Sequence, residues 1–390
     1  MALTWTTVLP VIIVSSLIIY EEWASTPSCK PTNAADFCGK GYESKEEDLK
    51  VMMVANLHLL GSDSGFVNLY FRDYYMSMFF KKSFTSLKPD MLLVLGDVSA
   101  KGSELTQTKW VSVVHQFQQM VGPFMGLPYH VVVGDRDVGE CSGLESNSVQ
   151  WIARSFPGLD SAGCGAFEIS NVSFVSLNAV ALLCGNNGLR FSVEKVIERE
   201  SVDLQMGFEN SFEDLKDKEI SRGFGWRENY VSSGSGPVLL LHFPLHHPAY
   251  CNCCNCRSGS PSQKGLSTLD SRGFAGTGPY ELMHTVPPNA TEYIFQALKP
   301  RIIFSAHTHE FSDYTHSDGT REVTVPSMTW KARDDPGFIL ATFQSNRAVS
   351  VSYCSLPRES HVLIFFTSIV VLLLSMMLIA NTPQVLCLRL

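Results

Sequence analysis

From Leu49 onward the chain alternates short, wholly apolar runs with longer stretches whose apolar residues recur every three or four positions. Such alternation predicts buried strands separated by amphipathic helices. Strands are expected over 50–56, 90–96 and 129–133, with helices near 66–87, 104–121 and 146–156. That order is the grammar of a largely parallel sheet in an α/β fold. The segment from Phe167 to Leu177 then alternates strictly around Asn171 and Val172, which predicts a hairpin with one buried face. Further strands are expected at 238–241, 301–305, 322–325, 338–343 and 348–353, with a helix near 290–298. Two stretches break the pattern. Residues 203–236 are charged and rich in Gly and Ser, and 248–278 are irregular and carry Cys251, Cys253, Cys254 and Cys256. Both read as insertions in a domain spanning 49–356.

Two uncharged runs flank this domain. Val362 to Ala380 is apolar on every face and close to the roughly 20 residues that cross about 30 Å of hydrocarbon. A transmembrane helix is therefore predicted over 361–381, with 382–390 as a cytosolic tail. Leu3 to Tyr20, diluted by Thr and Ser and stopped by Glu21 and Glu22, reads as a transmembrane signal anchor within 1–22. It lacks the basic n-region and clear cleavage site of a removed leader. Residues 23–48 would then be a lumenal linker, and both termini would face the cytosol.

The apolar share of 45% is ample for a large core. With 30 basic and 38 acidic residues the net charge is −8, and no Lys/Arg stripe is present, which argues against a nucleic-acid partner. Sequons at Asn171 and Asn289, with most of the 11 cysteines, lie between the two hydrophobic runs. An oxidising, lumenal compartment accounts for both, although Asn289 also stands where it could cap the helix near Ala290. Disulfides are expected within the cysteine-rich loop or from it to Cys141, Cys164 or Cys184, and Cys29 with Cys38 could close a small loop. A free or palmitoylated thiol is expected at Cys387.

The chemistry stands at the strand ends. Asn56-Leu57-His58, Gly96-Asp97, Gly134-Asp135-Arg136-Asp137, His242 and His307-Thr308-His309 each follow an apolar run. Open α/β folds place their sites along that edge. None of these pieces has structural zinc-finger spacing, so the reading is one cluster assembled by tertiary structure. Asp97 is the candidate bridging carboxylate; His58, His242, His307 and His309 supply imidazoles suited to Zn, Fe or Mn, and Asn56 and Asp135 supply oxygen. Two such ions roughly 3.5–4 Å apart clamp a phosphate and lower the pKa of water towards about 7, which points to hydrolysis of a phosphate ester.

In this order the pieces resemble the calcineurin-like metallophosphoesterase superfamily. His58-Leu59-Leu60-Gly61, GPVLLLHFPLHH, Glu228-Asn229-Tyr230, PRIIFSAHTHEF, VTVPSMTWKARDDPGFIL and CSLPRES narrow the resemblance to its membrane-bound metallophosphoesterase 1 group. That group includes the enzyme removing an ethanolamine phosphate from GPI anchors. The resemblance implies a four-layer α-β-β-α sandwich, here flanked by two transmembrane helices, and two divalent ions, manganese first with zinc or iron as alternatives. It implies a first metal held by Asn56, His58, Asp97 and His309 and a second by Asp97, Asp135, His242 and His307. It further implies a glycolipid substrate or GPI-anchored proteins as partners, at the ER or Golgi membrane.

Several family positions are altered. Asn56 replaces an Asp, Ala100 the second Asp of the Gly-Asp motif, Asp135 an Asn, Arg136 a His, and Ala306 a Gly. The changes at 56 and 135 exchange one carboxylate between the sites, leaving their summed charge unchanged. Arg136 and Asp137 stand where the family keeps its catalytic His and the acid beside it. A guanidinium is a poor proton donor at neutral pH, yet it can clamp a phosphate through paired hydrogen bonds. His246 and His247 are candidates to take over the proton. Two functions follow: a phosphodiester hydrolase acting on GPI anchors during their remodelling and export, or a relative that binds such cargo or phosphate without turnover.

Overall fold

The computed structural model describes residues 5–24, 26–32, 48–184, 188–210, 227–228, 236–247 and 284–387. After α1 (Trp5–Ala24) and β1 (Ser28–Pro31), the first half of the domain runs β2 (Leu49–Val54), α2 (Asp73–Leu87), β3 (Met91–Leu95), α3 (Gln107–Met120), β4 (Tyr129–Val132), α4 (Asp135–Val138) and α5 (Ser146–Ala153). A hairpin of β5 (Gly165–Ile169) and β6 (Val172–Ser176) leads to α6 (Ala179–Leu183), α7 (Gly188–Asn210), β7 (Arg227–Glu228) and β8 (Val238–Leu240). The rest is α8 (Pro288–Leu298), β9 (Ile302–Ser305), β10 (Ser312–Thr315), β11 (Arg321–Thr324), β12 (Gly337–Phe343), β13 (Val349–Ser355) and α9 (Glu359–Cys387).

Two sheets form, ordered β1-β13-β12-β2-β3-β4 and β10-β11-β9-β8-β6-β5-β7. The pleat explains how they stack, because successive residues of a strand face opposite sides. Val51, Met53, Leu93 and Leu95 join Phe167, Phe174, Leu240 and Phe304 in one core between the sheets. Met52, Val54, Leu92 and Val94 share the other core with Phe79, Phe80, Trp110 and Phe117 of the helices. The central strands β2 and β3 are thus buried on both faces, which is why β3, MLLVL, reads as an unbroken apolar run. The hairpin forms as expected, but β6 is buried throughout, since helices cover its outer face.

Some expectations change. The helix expected over 66–87 forms over those residues, with a π-helical turn at Asn68–Arg72 inside it, and ends where Lys88 turns left-handed at φ 47°. Neither β1 nor β10 has an apolar signature, and α7 runs to Asn210, inside the stretch read as an insertion. Asn289 is no cap: the helix begins at Pro288, with Pro287 at the cap position. The rest of that insertion except 227–228 and Gly236, the cysteine-rich loop, Cys38, Asn229 and Tyr230 lie outside the described residues. Among the described residues the disulfides are Cys29–Cys354 and Cys141–Cys184. β1 lies antiparallel to β13 with Cys29 opposite Cys354, so a partner 325 residues away is the nearest one. Cys164 stays a buried thiol, its pKa raised by burial.

The expectation of two spans is supported for one. Glu359–Leu378 is the helix, among the described residues, long and apolar enough to cross a membrane, and its Ile364, Val371, Leu374 and Leu378 are exposed. The earlier run does fold as a helix, α1, which ends just past Glu21 and Glu22 and is not among the candidate spans found in the described residues.

His130 on β4 bridges the sheets through a 2.8 Å hydrogen bond with Ser176 on β6. Burial lowers its pKa from 6.5 to about 3. Below 6.5 the unfolded chain takes up a proton that the folded one refuses, so stability is lost as pH falls from 6.5 towards 3. The slope contributed approaches about 1.4 kcal/mol per pH unit. Urea titrations between pH 7 and pH 4.5 should give His130→Gln a shallower pH dependence than the parent.

Candidate metal centre

Strands β2, β3 and β4 run parallel in one sheet, and β8 and β9 run parallel in the other. Their C-terminal ends carry every expected ligand. The turns leaving them are unusual: Asn56, His58, Asp97, His307 and His309 have φ of 54°, 51°, 55°, 61° and 62°. Left-handed φ costs non-glycine residues about 1–3 kcal/mol and persists where surrounding structure enforces it, most often at functional sites. Here the enforcement is visible. Asn56 N–H and His58 N–H donate to the carbonyls of Gly96 and Asp97 at 3.1 and 3.0 Å, lacing the two turns together. Ser327 Oγ donates to the Asn56 carbonyl, and Lys331 Nζ to that of His58 at 3.1 Å.

The side chains gather in two groups around one carboxylate. Asp97 is 1% exposed; its Oδ2 lies 3.5 Å from His58 Nε2, and its Oδ1 3.5 Å from His242 Nε2. On the first side the His58 ring meets the His309 ring edge-on at 5.5 Å. The amide of Asn56, Nε2 of His58 and Nδ1 of His309 are all buried without a hydrogen-bond partner. Buried polar atoms are rarely left so, and a neutral-ligand pocket closed by a carboxylate fits a divalent cation. On the second side Asp135 Oδ1 lies 3.0 Å from His242 Nε2 and 3.2 Å from His307 Nδ1, and the three ligand atoms fall within 4.8 Å of one another.

Proton placement differs between the two sides. His242 Nδ1 donates to the Leu95 carbonyl at 2.7 Å, which turns Nε2 towards the carboxylates. Burial holds His58 and His309 at about 3, so both are neutral ligands. His242 is pushed the other way, to about 9, because Asp97 and Asp135 overcome its desolvation. Asp97 rises to about 6 through burial, whereas hydrogen bonds from His242 and His307 hold Asp135 low despite its own burial.

The remaining expected residues divide. Arg136 stands at the rim, its side chain 43% exposed, with its N–H donating to Asp97 Oδ1 at 3.0 Å and its Nε 3.6 Å from Oδ2. Asp137 does not face the pocket, contrary to its candidacy as a catalytic group. It is buried and accepts the backbone N–H groups of Val98, Ser99 and Gly134, so it clasps the loops of β3 and β4 together. His246 and His247 are engaged elsewhere, the first by its backbone with Thr291 and the second with the Tyr314 ring. Three residues were not anticipated. His284 Nδ1 lies 3.1 Å from His307 Nε2, on the ring edge away from Asp135. Lys331 pairs with Asp73 at 2.8 Å while holding the His58 carbonyl. A lone lysine inside VTVPSMTWK was the sequence signal for that pair; His284 had none.

Residues 49–311 match the calcineurin-like phosphoesterase family. The chain belongs to that family. Among relatives of this phosphoesterase, Metallophosphoesterase 1 of Rattus norvegicus is 27% identical over 347 residues, 86% of this chain and 78% of the other. Metallophosphoesterase 1 of Danio rerio is 26% identical over 84% of this chain and 80% of its own length. A solved dimetal phosphatase from Danio rerio aligns with TM-score 0.39 and 13% identity, covering 75% of this chain and 92% of the other. Purple acid phosphatase PPD1 from yellow lupin aligns with TM-score 0.43 and 13% identity, covering 77% and 50%.

In this phosphoesterase Gly96 (φ 87°) and Gly134 are required by contact: a Cβ at the first would strike the His242 ring, and one at the second the Asp97 carboxylate. Gly96→Ala should lower stability by about 1–3 kcal/mol and weaken divalent-cation binding, read by urea denaturation and by cation-induced shifts in melting temperature.

Proposed function

We propose that this chain is a binuclear metallophosphoesterase held at the ER or Golgi membrane by α9, with its domain in the lumen, hydrolysing an ethanolamine-phosphate diester on GPI anchors. The observation that carries the reading is the division of Asp97 between two ligand groups, one oxygen towards His58 and the other towards His242. Asn56, His58, Asp97 and His309 would hold one cation, and Asp97, Asp135, His242 and His307 the other, with manganese the first choice of metal. Cations bound there supply Lewis acidity to the phosphoryl group and a lowered pKa for water. Arg136, beside Asp97 and open to solvent, is placed to grip a phosphate oxygen and to orient the ester. His284, exposed next to His307, is our choice for the imidazole that carries a proton to the leaving group.

Replacing the family His by Arg136 should make turnover slow, since general-acid help is worth about 10²–10⁴ in rate. With the full chain in detergent, metal analysis should find two divalent ions per chain. Hydrolysis of a soluble aryl phosphodiester with Mn²⁺ should rise on Arg136→His and disappear on Asp97→Asn. A chain that takes up no divalent ion would sink the reading. Metal without turnover, restored by Arg136→His, would favour the second reading, a binder of GPI-anchored cargo or phosphate.

Lumenal placement is supported by two disulfides and by the sequons, whose Asn171 and Asn289 are both exposed. Cells expressing the chain should yield a glycoprotein whose mobility shifts on endoglycosidase treatment, with one step of the shift lost in each of Asn171→Gln and Asn289→Gln.

A further inference from the structure

The span leaves the domain from the edge that carries the ligands. β12 is antiparallel to β2, and β13 antiparallel to β12 with Ser355 opposite Gly337, so β13 ends beside the C-terminal end of β2. Helix α9 starts four residues later, and α1 arrives at the same edge, where Ser28 pairs with Ser355. The junction is tied directly to the pocket. Trp330 donates to the Pro357 carbonyl at 2.9 Å, its neighbour Lys331 holds the His58 carbonyl, and Arg72 pairs with Glu359 at 2.7 Å.

Beside this junction lies an apolar patch that the domain leaves uncovered. Phe66, Val67, Leu69, Tyr70 and Tyr74 are 77%, 59%, 45%, 66% and 49% exposed, and no charged residue interrupts Ser64–Phe71. Exposed aromatics in such density mark a binding surface. The patch is continuous with the span: Tyr70, Phe71, Tyr74 and Tyr75 line a groove of about 380 Å³ with Leu363 and Phe366 of α9, and Glu21 of α1 closes one part of it by accepting from the Tyr74 hydroxyl at 2.9 Å. Tyrosine, with an apolar ring and a polar hydroxyl, is among the side chains that settle at the headgroup boundary of a bilayer.

We propose that residues 66–74 are an interfacial membrane-contact segment, which seats the domain with its ligand-bearing edge turned to the lipid headgroups. The proposal rests on reading α9 as a span. A phosphodiester carried by a membrane lipid would then meet the pocket without leaving the surface.

The test uses the full chain in phosphatidylcholine nanodiscs carrying a labelled lipid, with photoreactive p-benzoylphenylalanine introduced singly. The variants are Tyr70→benzoylphenylalanine in the patch, Val371→benzoylphenylalanine in α9, and Phe191→benzoylphenylalanine on the exposed face of α7. Lipid adducts are expected at positions 70 and 371 and absent at 191. Adducts at 371 with none at 70, or an adduct from 70 to a second chain instead of lipid, overturn the contact segment and leave the span intact. No adduct at 371 overturns the span and the segment together.

Discussion

A carboxylate buried at the end of a central strand is tolerated only if charge or donors stand beside it, and Asp97 is the group around which this molecule is arranged. It is almost wholly buried, and burial raises its pKa to about 6. One backbone N–H, the His242 ring and the Arg136 side chain are its compensation. The imidazoles on its other side are kept neutral by their own burial. The result is a first side, made by Asn56, His58 and His309, whose buried polar atoms have no hydrogen-bond partner. The left-handed turns, the two glycines and the clasp made by Asp137 all bring ligands to this carboxylate at backbone cost.

Much of this was legible in the sequence, and the reasons are local. A strand buried on both faces must be apolar throughout, so β2, β3, β4 and β9 announced themselves, and the polar residues that end each run were conspicuous against them. What stayed hidden depends on partners distant in sequence. β1, SCKP, is a strand because β13 lies beside it, and Cys29 meets Cys354 for the same reason. Asp137 resembled a site residue by its neighbours in the chain, yet only the fold shows three backbone N–H groups converging on it. Lys331 and Asp73 are 258 residues apart, and their pairing beneath His58 leaves no periodic trace.

The same connections tie chemistry to location. The aromatic cluster of Phe71, Tyr75 and Phe79 around Trp330 lies between the ligand turns and the start of α9. Neighbouring residues serve both ends, with Trp330 fixing the helix junction and Lys331 fixing the His58 turn. Ring packing and hydrogen bonds thus join the ligand turns to the start of α9 without a gap.

Strand order also sets a timetable for biosynthesis. β12 and β13 lie between β1 and β2, so the first sheet is incomplete until the chain has been made through Ser355. Pairings so remote in sequence are slow to form because the intervening loop must first be closed. The last seam of the first sheet can therefore close only late in synthesis, after nearly all of the domain has been made.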